Sequence, residues 1–86
     1  MIESLLIANR GEIALRIIKA CNELNIKTIS IYSDADLHSD YFKHADETYY
    51  VGKSQPSESY LNIDKIIDIA NKTSVEAIHP GYGFLS

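Results

Sequence analysis

Two glycine-bearing turns hold most of the side chains that could do chemistry. One is Asn9-Arg10-Gly11-Glu12, and the other is His79-Pro80-Gly81-Tyr82-Gly83. An arginine at the start of a helix could hold an anion, helped by free N–H groups and the helix dipole. It could equally be a solvated turn residue or the partner of a nearby acid. His79 is a candidate ligand or proton-transfer group. A histidine held extended by a following proline serves more often as a hydrogen-bonded structural residue. Tyr82 stands between two glycines, so its ring has little neighbouring bulk and could be offered to a flat ligand. His38 and His44 lie among Asp36, Asp40 and Asp46, but their spacing matches no metal-binding motif, and the segment reads as solvated surface. Cys21 falls on an apolar helix stripe and reads as an inert core thiol. No Ser/His/Asp or Cys/His arrangement stands out, and no pair of carboxylates reads as acid and base.

These turns need elements to position them. Leu5 to Ala8 is apolar without alternation, the signature of a parallel strand covered on both faces. Asn9 is a candidate cap for a helix from about Glu12 to Leu24. Its stripe is Ile13, Ile17, Cys21 or Ala20, and Leu24, widened by Ala14 and Ile18. Glu12 and Arg16 form an i,i+4 pair in the favourable order, and Asn25 replaces glycine as the helix stop. A second strand spans Lys27 to Tyr32, rich in strand-favouring residues. Leu37 to Ala45 is a short polar helix or turn. Thr48 to Val51 is a third strand closed by Gly52, and Lys53 to Ser59 reads as a loop. A second helix, from Tyr60 or Asn62 to Asn71, carries a stripe of Ile63, Ile66, Ile67 and Ala70. Val75 to Ile78 is a fourth strand that delivers the chain into His79.

Strands alternating with helices force parallel pairing and right-handed crossovers. The predicted fold is an α/β, Rossmann-like parallel sheet of order 3-2-1-4 flanked by helices. Ligands of such sheets bind beyond the strand C-termini, where the strand order reverses. In this order the two glycine-bearing turns are neighbours and converge on one crevice. A dinucleotide is a poor occupant, because its fingerprint needs three glycines and only Gly11 is present. Asp34 lies about where a ribose-binding acid would fall.

The 86 residues allow one small domain with a modest core. A net charge of −4 weighs against nucleic acid or an anionic membrane as the main partner. A single cysteine cannot form an internal disulfide, and no apolar run approaches a membrane span. A cytoplasmic location is the expectation. No element covers the edge of the fourth strand, and open edges are a liability. The chain is therefore expected to be part of a longer protein.

The chain resembles the N-terminal domain of biotin carboxylases, such as the biotin carboxylase subunit of acetyl-CoA carboxylase and the matching region of pyruvate and propionyl-CoA carboxylases. The residues that carry the resemblance are Ile7-Ala8-Asn9-Arg10-Gly11-Glu12-Ile13-Ala14-Leu15-Arg16-Ile17, Ala45-Asp46-Glu47, Ser59-Tyr60-Leu61-Asn62 and Ala77-Ile78-His79-Pro80-Gly81-Tyr82-Gly83-Phe84-Leu85-Ser86. They occur in the family's order and spacing. The resemblance implies a pre-ATP-grasp domain, residues 1–86, with the ATP-grasp and C-terminal domains still to follow. It implies an enzyme using ATP, Mg²⁺ and bicarbonate to carboxylate biotin on a carrier protein, with carboxyphosphate as the activated bicarbonate. The ATP and Mg²⁺ sites and the catalytic base would lie outside this chain. The implied partners are a biotin carboxyl carrier protein or domain, a carboxyltransferase and a second copy in a homodimer. One implied setting is fatty acid biosynthesis. Tyr82 and Gly83 match the loop lining the biotin pocket. Arg16 matches a position near the dimer interface and active site. Lys19, where the family often carries arginine, and Glu23 match the helix face used for dimer contacts.

Overall fold

The unbroken apolar run Leu5–Ile7 serves two layers at once. In the computed structural model, which describes Met1–Ser86, strand β1 spans Ser4–Ile7. Leu6 points into a core shared with Ile29, Ile31, Val51, Tyr60, Ile66 and Ile69. Leu5 and Ile7 point the other way, into a core with Ala14, Ile18, Cys21, Ile26 and Tyr41. Side chains alternate across a strand, so covering both faces requires apolar residues at every position.

Helix α1 spans Gly11–Glu23, and β2 follows at Lys27–Ser33. Asn25 ends the helix as expected, at φ 59°. The Ile26 N–H donates to the Cys21 carbonyl at 2.9 Å and the Asn25 N–H to that of Asn22 at 3.3 Å, the Schellman pattern of a left-handed stop. Strand β3 spans Glu47–Gly52, α2 spans Ile63–Thr73 and β4 spans Ala77–His79. The sheet is parallel with order β3-β2-β1-β4, as the sequence predicts. The β2–β3 register is pinned by Asp46, whose carboxylate accepts from the Thr28 N–H at 2.8 Å and the Thr28 hydroxyl at 3.3 Å. The Asn62 side chain caps α2 by accepting from the Lys65 N–H.

Three expectations need correction. The segment from Asp34 to His44 is two 3₁₀ turns, Asp34–Asp36 and Tyr41–His44, and it is not uniformly solvated: Asp36 and Tyr41 are buried. The stripe of α2 is centred on Ile66 and Ile69, leaving Ile63 and Ile67 exposed. One helix on this face of a four-stranded sheet buries only its central line. The stripe of α1 is likewise rotated. Ala14, Ile18 and Cys21 are buried, while Ile13 and Ile17 are half-buried and Leu24 is exposed. The helix covers β1 and β2 with one flank, and its other apolar flank borders an open groove beside β4.

Candidate functional site

Register brings the two turns together. Ile7 pairs with His79, and the Ala8 N–H donates to the His79 carbonyl at 2.9 Å. The chains leaving β1 and β4 therefore emerge side by side. Asn9 joins them. Its side chain is buried, and its amide nitrogen donates to the Pro80 carbonyl at 2.8 Å and the Tyr82 carbonyl at 2.7 Å. Its oxygen accepts from the Arg10 N–H at 2.8 Å. Asn9 is thus not the helix cap that sequence suggests. Arg10 occupies the cap position but its side chain makes no capping bond, and Asn9 clasps the second turn.

That turn depends on left-handed backbone. Gly81 has φ 66° and Gly83 φ 70°, angles that glycine adopts without Cβ strain. A Cβ on Gly81 would lie 2.8 Å from both the Asn9 Nδ2 and the Ile13 Cγ2, whereas one on Gly83 would meet nothing within 4 Å. The Gly81 N–H donates to His79 Nδ1 at 3.0 Å, the structural role expected for that histidine. Tyr82 is left 78% exposed.

Beside the ring runs a groove of about 540 Å³ between α1 and β4, within the usual range for small-molecule sites of roughly 300–1,000 Å³. Leu5, Ile13, Ile17 and Leu24 give it an apolar lining, and Glu12, Arg16, His79 and Tyr82 line it as well. The structure therefore brings Tyr82 and Arg16 into one groove, with Gly83 next to Tyr82 in the loop. Lys19 and Glu23 are exposed further along α1. None of Arg16, Lys19 and Glu23 has an ion-pair partner within the chain, and the expected Glu12–Arg16 pair does not form.

Arg10 is committed elsewhere. Its guanidinium grips the Asp36 carboxylate through two bonds, Nε to Oδ2 at 2.6 Å and Nη2 to Oδ1. It is thus the partner of an acid, not a free anion holder. The Tyr60 hydroxyl donates to Asp36 at 2.5 Å and accepts from the Ser33 N–H at 3.0 Å. The Tyr41 hydroxyl donates to the Ile31 carbonyl at 2.8 Å and lies 3.0 Å from that of Tyr60. Burial pushes the Asp36 carboxyl upward, but Arg10 and Tyr60 outweigh it and hold the group below its ordinary range. Burial also raises the tyrosines, Tyr41 far above the usual phenol, and it raises the Cys21 thiol, which keeps that sulfur unreactive. Asp36, Tyr41 and Tyr60 escape sequence reasoning because each sits in a polar stretch. The available signal was Arg10 itself, an arginine directly after the first strand that sequence reading already allows to be the partner of an acid. Asp34, the candidate ribose acid, is exposed. His38 and His44 are exposed, and no three His, Cys, Asp or Glu side chains gather anywhere as metal ligands.

A family model described as biotin carboxylase, N-terminal domain, matches residues 1–86. A biotin carboxylase of Halalkalibacterium halodurans is 56% identical over 86 residues, covering 100% of this chain and 19% of that protein. The pyruvate carboxylase of Staphylococcus aureus is 58% identical over 86 residues, covering 99% of this chain and 8% of that protein. The crystal structure of Kluyveromyces lactis urea carboxylase superposes with a TM-score of 0.95 at 49% identity, covering 99% of this chain and 8% of that one. The chain therefore spans under a fifth of the length of these relatives.

Proposed function

The chain belongs to the biotin carboxylase N-terminal domain family, and we propose that it is the first unit of a longer enzyme that carboxylates biotin with ATP and bicarbonate. Its own contribution is one wall of the biotin site and part of a dimer surface. The observation that carries this reading is that exposed Tyr82 lines a largely apolar groove, with open space beside Gly83.

The residues fit such a ligand. A small bicyclic ring can lie against Tyr82 and along the backbone at Gly83, where no side chain intrudes. When bound, biotin supplies the ureido nitrogen that accepts the carboxyl group. This chain's residues bind and orient: the ring of Tyr82 offers an apolar face, and Arg16 brings a positive charge to the groove. No group here reads as a base, and ATP and Mg²⁺ belong to later parts of the polypeptide. Biotin would arrive on a carboxyl carrier protein or domain, and a carboxyltransferase would pass the carboxyl group on. The acceptor could be pyruvate or, in the acetyl-CoA carboxylase setting of fatty acid biosynthesis, an acyl-CoA. Arg16, Lys19 and Glu23, unpaired within the chain, supply charges for a second copy in a homodimer. A cytoplasmic location accords with the single buried thiol.

The test begins with the coding sequence beyond Ser86, where an ATP-grasp region with its glycine-rich loop is expected. The complete polypeptide should then hydrolyse ATP in a biotin- and bicarbonate-dependent manner, and residues 1–86 alone should not. A stop codon directly after Ser86 would overturn the reading in favour of a stand-alone binding module. Biotin-dependent hydrolysis by the 86-residue chain alone would overturn the assignment of the chemistry to later domains.

A further inference from the structure

We propose that Asn9 is a positioning residue for biotin: it fixes the Tyr82–Gly83 wall from behind without touching the ligand. The inference rests on the biotin-wall reading above. The loop that carries Tyr82 is held at its start by the Gly81 bond to His79 and beyond Gly83 by Phe84 and Leu85 against the core, and between them the long-range bonds come from Asn9. Tyr82 is exposed and makes no packing anchor. Gly81, Gly83 and Phe84 all have positive φ, with Phe84 at 46°, a conformation that strains a non-glycine residue. Such a backbone persists only when its surroundings fix it. Asn9 provides that restraint through two donated bonds to carbonyls on either side of Gly81, those of Pro80 and Tyr82.

The choice of asparagine follows from the bonding. The site asks one side chain for two N–H donors and one acceptor, and a primary amide offers all three. Aspartate has the same shape but would turn lone pairs towards two carbonyl oxygens. The amide is itself held. Its oxygen takes the Arg10 N–H, and the Arg10 side chain is gripped by the buried Asp36. Gly81 completes the fit, since a Cβ there would lie 2.8 Å from Asn9 Nδ2. A relay of contacts thus runs from the C-terminal end of β2 to the backbone of Tyr82.

The experiment uses the complete polypeptide with free biotin as substrate. Asn9→Ala and Asn9→Asp should raise the KM for biotin about tenfold, as expected when two part-buried hydrogen bonds that hold the wall are lost. The KM for ATP and the KM for bicarbonate should change less than about twofold. Gly81→Ala attacks the same contact from the exposed side and should raise the biotin KM as well, even if the Asn9 variants fail to fold. The decisive arm is the double variant Asn9→Ala/Tyr82→Ala. If Asn9 acts through the Tyr82 wall, its loss adds little once the ring is gone. An unchanged biotin KM in a folded Asn9 or Gly81 variant, or a parallel rise in all three KM values, overturns the inference. If Tyr82→Ala leaves the biotin KM unchanged, the wall reading itself falls. If Tyr82→Ala raises it and Asn9→Ala does not, only the positioning role falls.

Discussion

Arg10 and Asp36 face each other across the C-terminal ends of β1 and β2 as a two-bonded ion pair, with the carboxylate 1% exposed and the arginine side chain 44% exposed. The asymmetry matters. The acid is cut off from water and depends on its partners, whereas the guanidinium keeps partial hydration. Removing the acid is therefore costly mainly through lost charge-assisted bonds.

Asp36→Asn should lower unfolding free energy by about 1.5–3 kcal/mol, the range for hydrogen bonds to charged groups, read from urea unfolding. The pH dependence follows from the same pair. Asp36 titrates below its ordinary value of 3.8 in the folded protein. Its stabilisation is complete above that value and fades as the pH falls through and below it. The variant should lose this share of the acid sensitivity. An unaltered acid-unfolding profile would contradict the pair's role.

Tyr60→Phe isolates the hydroxyl. The ring would keep its contact with Phe84, centroids 5.2 Å apart, while the Ser33 N–H loses its acceptor and Asp36 loses a donor. Tyr41 does not replace that donor, because each phenol has one proton and that of Tyr41 reaches the Ile31 carbonyl. The expected cost is about 1–3 kcal/mol for the orphaned groups. The Asp36 pKa, followed by NMR titration, should move upward, since Tyr60 is among the groups holding it down.

The strand order, the paired turns and the exposed Tyr82 ring were legible in the sequence because each follows from a local rule: apolar runs, glycine placement, helix spacing. Asn9 and Asp36 were not. Both resemble ordinary turn residues, and their roles depend on partners far along the chain, Pro80 and Tyr82 for one, Arg10 and Tyr60 for the other. The α1 stripe was legible as apolar but not as divided. A period shows that Ile13, Ile17 and Leu24 lie together on one flank. It cannot show that the sheet stops short of them and leaves a groove.

Asn25 tests one of the local rules directly. At φ 59° it holds the left-handed stop of α1. Asn25→Ala should cost about 1 kcal/mol, because a Cβ is strained there and asparagine tolerates the region better than alanine. Asn25→Gly should be neutral or slightly stabilising, since glycine is the usual residue at this position. Thermal unfolding that ranks alanine above glycine would contradict the cap geometry.

Tyr82 and Phe84 share one loop and should separate function from stability. Tyr82 is 78% exposed, so Tyr82→Ala should leave unfolding free energy within about 0.5 kcal/mol, as for other surface substitutions. In the complete polypeptide the same change should raise the KM for biotin and alter ATP- and bicarbonate-dependent parameters less. Phe84 instead packs with Leu85 against the α2-side core, beside Tyr60. Because Phe84 is only half-buried, Phe84→Ala should cost less than the roughly 3–5 kcal/mol of a fully buried phenylalanine, yet clearly more than Tyr82→Ala. Its effect on biotin should be indirect, since the loop would lose the weight that draws it back into the core after Gly83. Equal stability losses for the two variants would mean that the Tyr82 ring is a packing residue and not an offered surface.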